Sequence, residues 1–200
     1  MFDARLINDP FDDPGVFVEL KYRREALLFD LGDLRALSPR NLLKVRQIFV
    51  SRTHMDHFIG FDHLVRVCLG RDQTIRLFGP GGFLRHVENR LGSYTWNLVE
   101  NYENDFNLVV TEVVGEETRT ACFACRRAFR REGEQEGKIS GGILCDHPFY
   151  RVKTEILDHR VPCLAFALEE KFRVNIRKDV LQSMGIPPGP WLMDLKEKIA

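Results

Sequence analysis

Apolar and polar positions along this chain fall into short blocks, each about as long as one strand or one short helix. "VFVELKY" (16–22) and "ALLFDLG" (26–32) flank Arg23, Arg24 and Glu25, which predicts two strands joined by a charged turn as a hairpin. "SPRNLLKVRQ" (38–47) opens with Ser38 as N-cap and Pro39 at the first helical position, so a short helix is expected. "QIFVS" (47–51) is a continuous apolar run of strand length, and it delivers the chain into "SRTHMDH". "FDHLVRVCLG" (61–70) then shows helical spacing at Phe61, Leu64, Val65 and Cys68. The cluster "SRTHMDH" is therefore placed on a strand-to-helix loop, where binding groups concentrate in layered α/β proteins.

"TIRLFGP" (74–80) predicts the next strand. Gly79, Pro80, Gly81 and Gly82 read as a turn, because a phosphate loop would need a following lysine and Ser/Thr. Residues 83–102 are expected to be helical, "FNLVVTEVV" (106–114) a strand, and "GEQEGKISGG" (133–142) a flexible polar turn. Two further strands are expected at 150–157 and 162–168. A helix follows near 176–184, then the breaker run "GIPPGP" and a short charged end. The alternation of strands and helices gives an α/β class without internal repeats.

Composition narrows the partners more than the fold. Two hundred residues suffice for one domain spanning 1–200. No apolar run reaches the roughly 18 residues of a membrane helix, and the N-terminus lacks a basic start followed by an apolar stretch. A cytoplasmic protein without membrane contact is expected. Lys plus Arg equal Asp plus Glu at 29 each, so nucleic-acid contact would need a local patch. Two patches qualify, Arg126, Arg127, Arg130 and Arg131 in "CRRAFRRE", and Lys171, Arg173, Arg177 and Lys178 in "KFRVNIRK"; for either, a solvated charged face is the simpler reading. Five cysteines without a signal peptide point to reduced thiols. Cys122, Cys125, Cys145 and His147 could close a tetrahedral zinc site, but the second half is C-x-H rather than C-x-x-C, and small buried hydrophobes are the simpler reading. His63 and His86 read as structural or solvated residues on helices.

His54, Asp56 and His57 lie within four positions directly after a rigid strand, a spacing that can bring lone pairs to one point for a metal. "IFVSRTHMDHFIGFDHLVR" resembles the H-x-H-x-D-H loop of the metallo-β-lactamase superfamily, and its context is similar to the ribonuclease Z-like branch. "FDLGD" (29–33) resembles the preceding strand and turn, and "ILDHRVPCLAFALEE" (156–170) the next motif of that branch. "SMGIPPGPW" (183–191) lies in a segment, about 169–191, that resembles the tRNA-gripping arm.

The resemblance implies a metallo-β-lactamase-like αββα sandwich, incomplete at its C-terminal half, and a zinc-dependent phosphodiesterase acting on tRNA 3′ ends. It implies His54 and His159 as ligands of one zinc, Asp56 and His57 as ligands of a second, Asp56 as the catalytic base, and Asp30 as the residue holding the loop. Two departures stand against it. The first histidine of the motif is Arg52, which has no lone pair to give a metal. No histidine follows His159, and neither Asp179 nor Asp194 sits in the Gly-Asp-Thr turn that the family's bridging aspartate occupies. Zinc is then expected to be partial or absent in this chain alone. Three functions stay open: a metal-dependent hydrolase of RNA or another phosphodiester, an inactive relative that binds RNA, and a half-site completed by a second copy or another chain.

Overall fold

The computed structural model describes residues 2–21, 23–171 and 176–199; Tyr22 and Arg173, named above, lie outside them. Eight strands form one sheet in chain order: β1 (Phe2–Leu6), β2 (Val16–Leu20), β3 (Ala26–Phe29), β4 (Val45–Phe49), β5 (Gln73–Pro80), β6 (Phe106–Val114), β7 (Glu117–Ala124) and β8 (Arg131–Lys138). β3, β4, β5 and β6 run parallel, and the flanking pairs are antiparallel. A second sheet has the order β11 (Pro162–Glu170), β10 (Tyr150–Asp158), β9 (Ile143–Asp146).

The parallel strands alternate with helices because each crossover carries an amphipathic run. α1 (Pro39–Leu42) is capped by Ser38, whose side chain accepts from the Asn41 amide. It stops earlier than the expected helix because Val45 begins β4 with its side chain fully buried. α2 (Met55–Phe58) is a single turn inside the histidine loop, where the sequence showed only a loop. α3 (Phe61–Cys68) buries Phe61, Leu64, Val65 and Cys68, the predicted stripe. α4 (Phe83–Gly92) ends ten residues before the expected limit; a short 3-10 turn at Val99–Asn101 follows.

These helices cover one face of the large sheet in a core that includes Leu28, Ile48, Leu64, Leu77, Phe83 and Val110. The small sheet covers the other face through Val18, Leu27, Phe49, Phe78, Tyr150 and Val152. Phe49 is stacked between Phe29 and Phe78, with ring centroids 5.0 Å away on each side, and Phe166 of β11 packs on it at 5.6 Å. The layering is helix, sheet, sheet, as the resemblance implies. α5 (Lys178–Ser183) and α6 (Trp191–Ile199) have no fully buried side chain among the described residues, and α6 replaces the expected short charged end.

A further expectation is overturned. "GEQEGKISGG" is not a flexible turn, because residues 131–138 form β8 in register with β7. Its side chains are almost all exposed, so backbone pairing rather than apolar burial makes the strand.

Candidate functional site

Parallel strands end on one side of the sheet, and the chain leaves β4 there into the histidine loop. Asp30, just past β3, adopts φ 61°, a left-handed conformation that aspartate tolerates better than most residues. Its amide donates to the Phe49 carbonyl at 2.8 Å, and its carboxylate turns across to the loop. Oδ1 accepts from the Ser51 amide at 2.7 Å, and Oδ2 accepts from the Ser51 hydroxyl at 2.9 Å and faces His57 Nδ1 at 2.9 Å. Two backbone clips close the arrangement, Leu31 N–H to the His57 carbonyl and Gly60 N–H to the Leu31 carbonyl, each 2.9 Å. A side chain at position 60 would collide with the Gly32 carbonyl, so glycine is required there.

His57 is 6% exposed, and a proton on Nδ1 satisfies Asp30. That tautomer leaves the Nε2 lone pair pointing away, 3.4 Å from Asp56 Oδ2. This is the way a metal-ligating histidine is oriented by a carboxylate behind it. His54 is exposed at the start of α2, and His159, exposed in the β10–β11 turn, comes to it with ring centroids 6.2 Å apart. The two sheets bring this pair together, and the Leu164 amide of β11 donates to the Ser51 carbonyl at 2.8 Å.

The expected ligands thus form two pairs, His54 with His159 and Asp56 with His57. Among the described residues no group of three or more His, Cys, Asp or Glu converges to hold a metal ion. Catalytic zinc takes three protein ligands, so these residues do not by themselves fit the metal pair that the resemblance implies. Arg52 lies two residues before His54; its Nε is shielded from solvent and has no hydrogen-bond partner among the described residues.

The cysteine grouping does not form a site. Cys122 and Cys125 lie on and just after β7 of the large sheet, whereas Cys145 is in the small sheet, where its thiol donates to Gln47 Oε1 at 3.2 Å. His147 stacks on Tyr150 at 4.3 Å. Burial pushes the thiols of Cys122, Cys125 and Cys145 up, the direction of inert structural cysteine. Exposed Arg126, Arg127 and Arg130 surround the turn after β7, at the end of the sheet opposite the histidine loop. In the second patch Lys171 pairs with Asp146 and Arg177 with Asp179.

Sequence reasoning missed two features. Ser51 was read only as the end of a strand, yet its small hydroxyl ties Asp30 to the loop. A cavity of about 350 Å³ opens beside the loop, lined by Thr53, Met55, Phe58, Ile59, His86 and Asn89. His86 therefore belongs to the surroundings of the loop; burial lowers its pKa, with Arg85 adding to the effect.

Fold and loop together define a metallo-β-lactamase-like sandwich. No family model matches the chain. Curated relatives match nearly all of it: ribonuclease Z of Deinococcus radiodurans is 30% identical over 98% of this chain, and ribonuclease Z of Pyrococcus abyssi 25% identical over 90%. The chain spans 60% of the first relative's length and 51% of the second's. Among solved structures, the short form of human tRNase Z aligns with 86% of this chain and 64% of that one, at 18% identity and a TM-score of 0.48. The metallo-β-lactamase fold protein YhfI of Bacillus subtilis covers 82% of this chain and 56% of its own, at 13% identity and a TM-score of 0.47. In sequence the chain is similar to the ribonuclease Z-like branch of the metallo-β-lactamase superfamily.

Proposed function

We propose that this chain carries one wall of a ribonuclease Z-type site and serves metal-dependent hydrolysis of a phosphodiester at the 3′ end of tRNA. The observation that carries the reading is His57, fixed from behind by Asp30 and Ser51 with its outer nitrogen beside Asp56. In this reading His54, Asp56, His57 and His159 are metal donors and zinc is the metal. Asp56, with a half-exposed side chain, is the base facing the attacking water. The segment 169–191 would serve as the arm that grips tRNA; residues 172–175 within it lie outside the described set. Two donor pairs are too few for tight zinc binding, so the reading requires further ligands from outside the described residues, a second copy or another chain among the sources.

The test is zinc content by elemental analysis together with mass in solution, followed by cleavage of a tRNA precursor bearing a 3′ trailer. Zinc bound only in an assembled state, with cleavage at the trailer, is the expected result. Arg52→His, which restores a third ligand to the first pair, should raise zinc affinity. Absence of cleavage with every added metal, and no gain of zinc in Arg52→His, would overturn the reading. Arg52 itself favours a second reading, in which the chain binds RNA without cutting it.

A further inference from the structure

We propose that this chain associates with itself, the arginine turn after β7 of one copy docking on the loop around Phe11 of another. The contact is separate from metal binding and from any chemistry at the histidine loop.

The two surfaces sit at diagonally opposite corners of the large sheet. Residues 7–15 join β1 to β2 at the end where the histidine loop leaves β4, whereas Arg126, Arg127 and Arg130 follow β7 at the other end. Five strand spacings of about 4.8 Å separate β2 from β7, so one copy cannot close its arginines on its own acidic loop. Only another molecule can bring the two together.

The loop is clamped while its tip is bare. The Asn8 side-chain amide donates to the Asp13 and Asp33 carbonyls, each at 2.9 Å, and the Gly32 amide donates to the Pro14 carbonyl at 3.1 Å. Phe11 is nevertheless fully exposed, with exposed Asp9 and Asp12 beside it in the chain. Among the described residues Asp9, Asp12 and Asp13 form no ion pair, and Arg35, within reach of Asp13's charge, is bound to Asp33.

The arginine turn is also fixed. Ala128 and Phe129 take φ 54° and 51° in succession, a left-handed pair unusual outside glycine, and buried Phe129 is held against Trp96 and Phe106. The amides of Ala128 and Phe129 donate to the Cys125 and Ala124 carbonyls, each at 2.9 Å. The exposed side chains of Arg126, Arg127 and Arg130 form no ion pair among the described residues.

Unpaired guanidinium groups on one surface thus match a bare aromatic ring among unpaired carboxylates on the other. A guanidinium can lie on the face of Phe11 while its donors reach Asp9 or Asp12. Both backbones are already set, so little ordering is left to lose on contact. An RNA backbone would suit the arginines but be repelled by the acidic loop, whereas a second copy satisfies both surfaces. The net charge of zero lets copies approach without overall repulsion.

The mass of the full chain is followed by sedimentation across a concentration series in excess EDTA, at about 0.02 M and about 1 M salt. Wild type should associate at low salt and return to single chains at high salt. Phe11→Ala should weaken association by about tenfold or more. A loop variant (Asp9→Asn, Phe11→Ala, Asp12→Asn) and a turn variant (Arg126→Gln, Arg127→Gln, Arg130→Gln) should each stay single, with unfolding temperatures near wild type because the altered side chains are exposed. Mixed together, the two variants should form a species of two chains and nothing larger, since one keeps a working turn and the other a working loop. Wild type that stays single at low salt would overturn the proposal, as would association that survives in either variant or a mixture that remains single. Single wild-type chains that bind a labelled single-stranded RNA, with the turn variant failing to, would overturn the second copy as occupant and assign the turn to RNA.

Discussion

His57 Nδ1 lies 2.9 Å from Asp30 Oδ2, and the same carboxylate oxygen accepts the Ser51 hydroxyl at 2.9 Å. One side chain at the end of β3 therefore orients both the beginning and the end of the histidine loop. Asp30→Ala should destabilise the fold by about 2–3 kcal/mol, because a buried imidazole and a backbone amide lose their acceptor. Asp30→Gly should be milder by about 1 kcal/mol, since φ 61° is strained for alanine and not for glycine. Urea denaturation of the two variants separates the strain from the lost hydrogen bonds. Equal stability of the two would show that the left-handed backbone contributes nothing.

Glu112, 3% exposed in β6, accepts from the Gly82 and Leu84 amides at 3.0 and 3.2 Å and so caps the start of α4. Arg119 reaches the other carboxylate oxygen at 2.6 Å from a half-exposed position. Glu112→Ala is predicted to cost about 2–3 kcal/mol, because it orphans helix N-terminal amides. Arg119→Ala should cost about 1 kcal/mol, as the exposed partner of a pair that keeps its amide donors. The reverse order in chemical denaturation would mean that the ion pair, not the cap, matters.

Phe49 joins the two sheets through its stacking between Phe29 and Phe78 and its contact with Phe166. Phe49→Ala should cost about 3–5 kcal/mol, and Phe49→Leu distinctly less, because a leucine leaves a smaller void. Hydrogen exchange should show the loss in β10 and β11 as well as in β4. Protection lost from β4 alone would contradict a shared core.

Burial pushes the Cys68 thiol from 9.0 up to about 12. The folded state therefore holds a proton that the unfolded thiol releases, and stability is fully present below pH 9. It should fall as pH rises from about 9 toward 12, by up to roughly 1.4 kcal/mol per pH unit from this group. Denaturation of wild type and Cys68→Ala across this range checks the sign. The variant should show a shallower decline, and an identical decline would assign the effect to other groups.

Much of the fold was legible where apolar runs make strands, as at Val16–Leu20, Val45–Phe49, Phe106–Val114 and Pro162–Glu170. β8 escaped because "REGEQEGK" turns almost every side chain to solvent, so its strand character lies in the backbone pairing with β7. β1, β7 and β9 were likewise not read from the pattern; β1 is exposed over most of its length. At the site, His54, Asp56 and His57 share one loop and could be grouped from spacing alone. The approach of His159 depends on docking two sheets, which motif resemblance indicated and periodicity did not. The cavity needed α2 and α4 side by side, so His86 carried no sign of its position in the linear order.

The hydrogen bond from the Leu164 amide to the Ser51 carbonyl closes a very long stretch of chain on itself. Such a closure carries a large entropic penalty and belongs to the slow, late part of folding. The His54–His159 pair therefore exists only after both sheets have met, while Asp30, Ser51 and His57 can find one another within the first half of the chain. A spectroscopic label at His159 would follow the docking of the two sheets, and one at His57 would follow assembly within the first half of the chain alone.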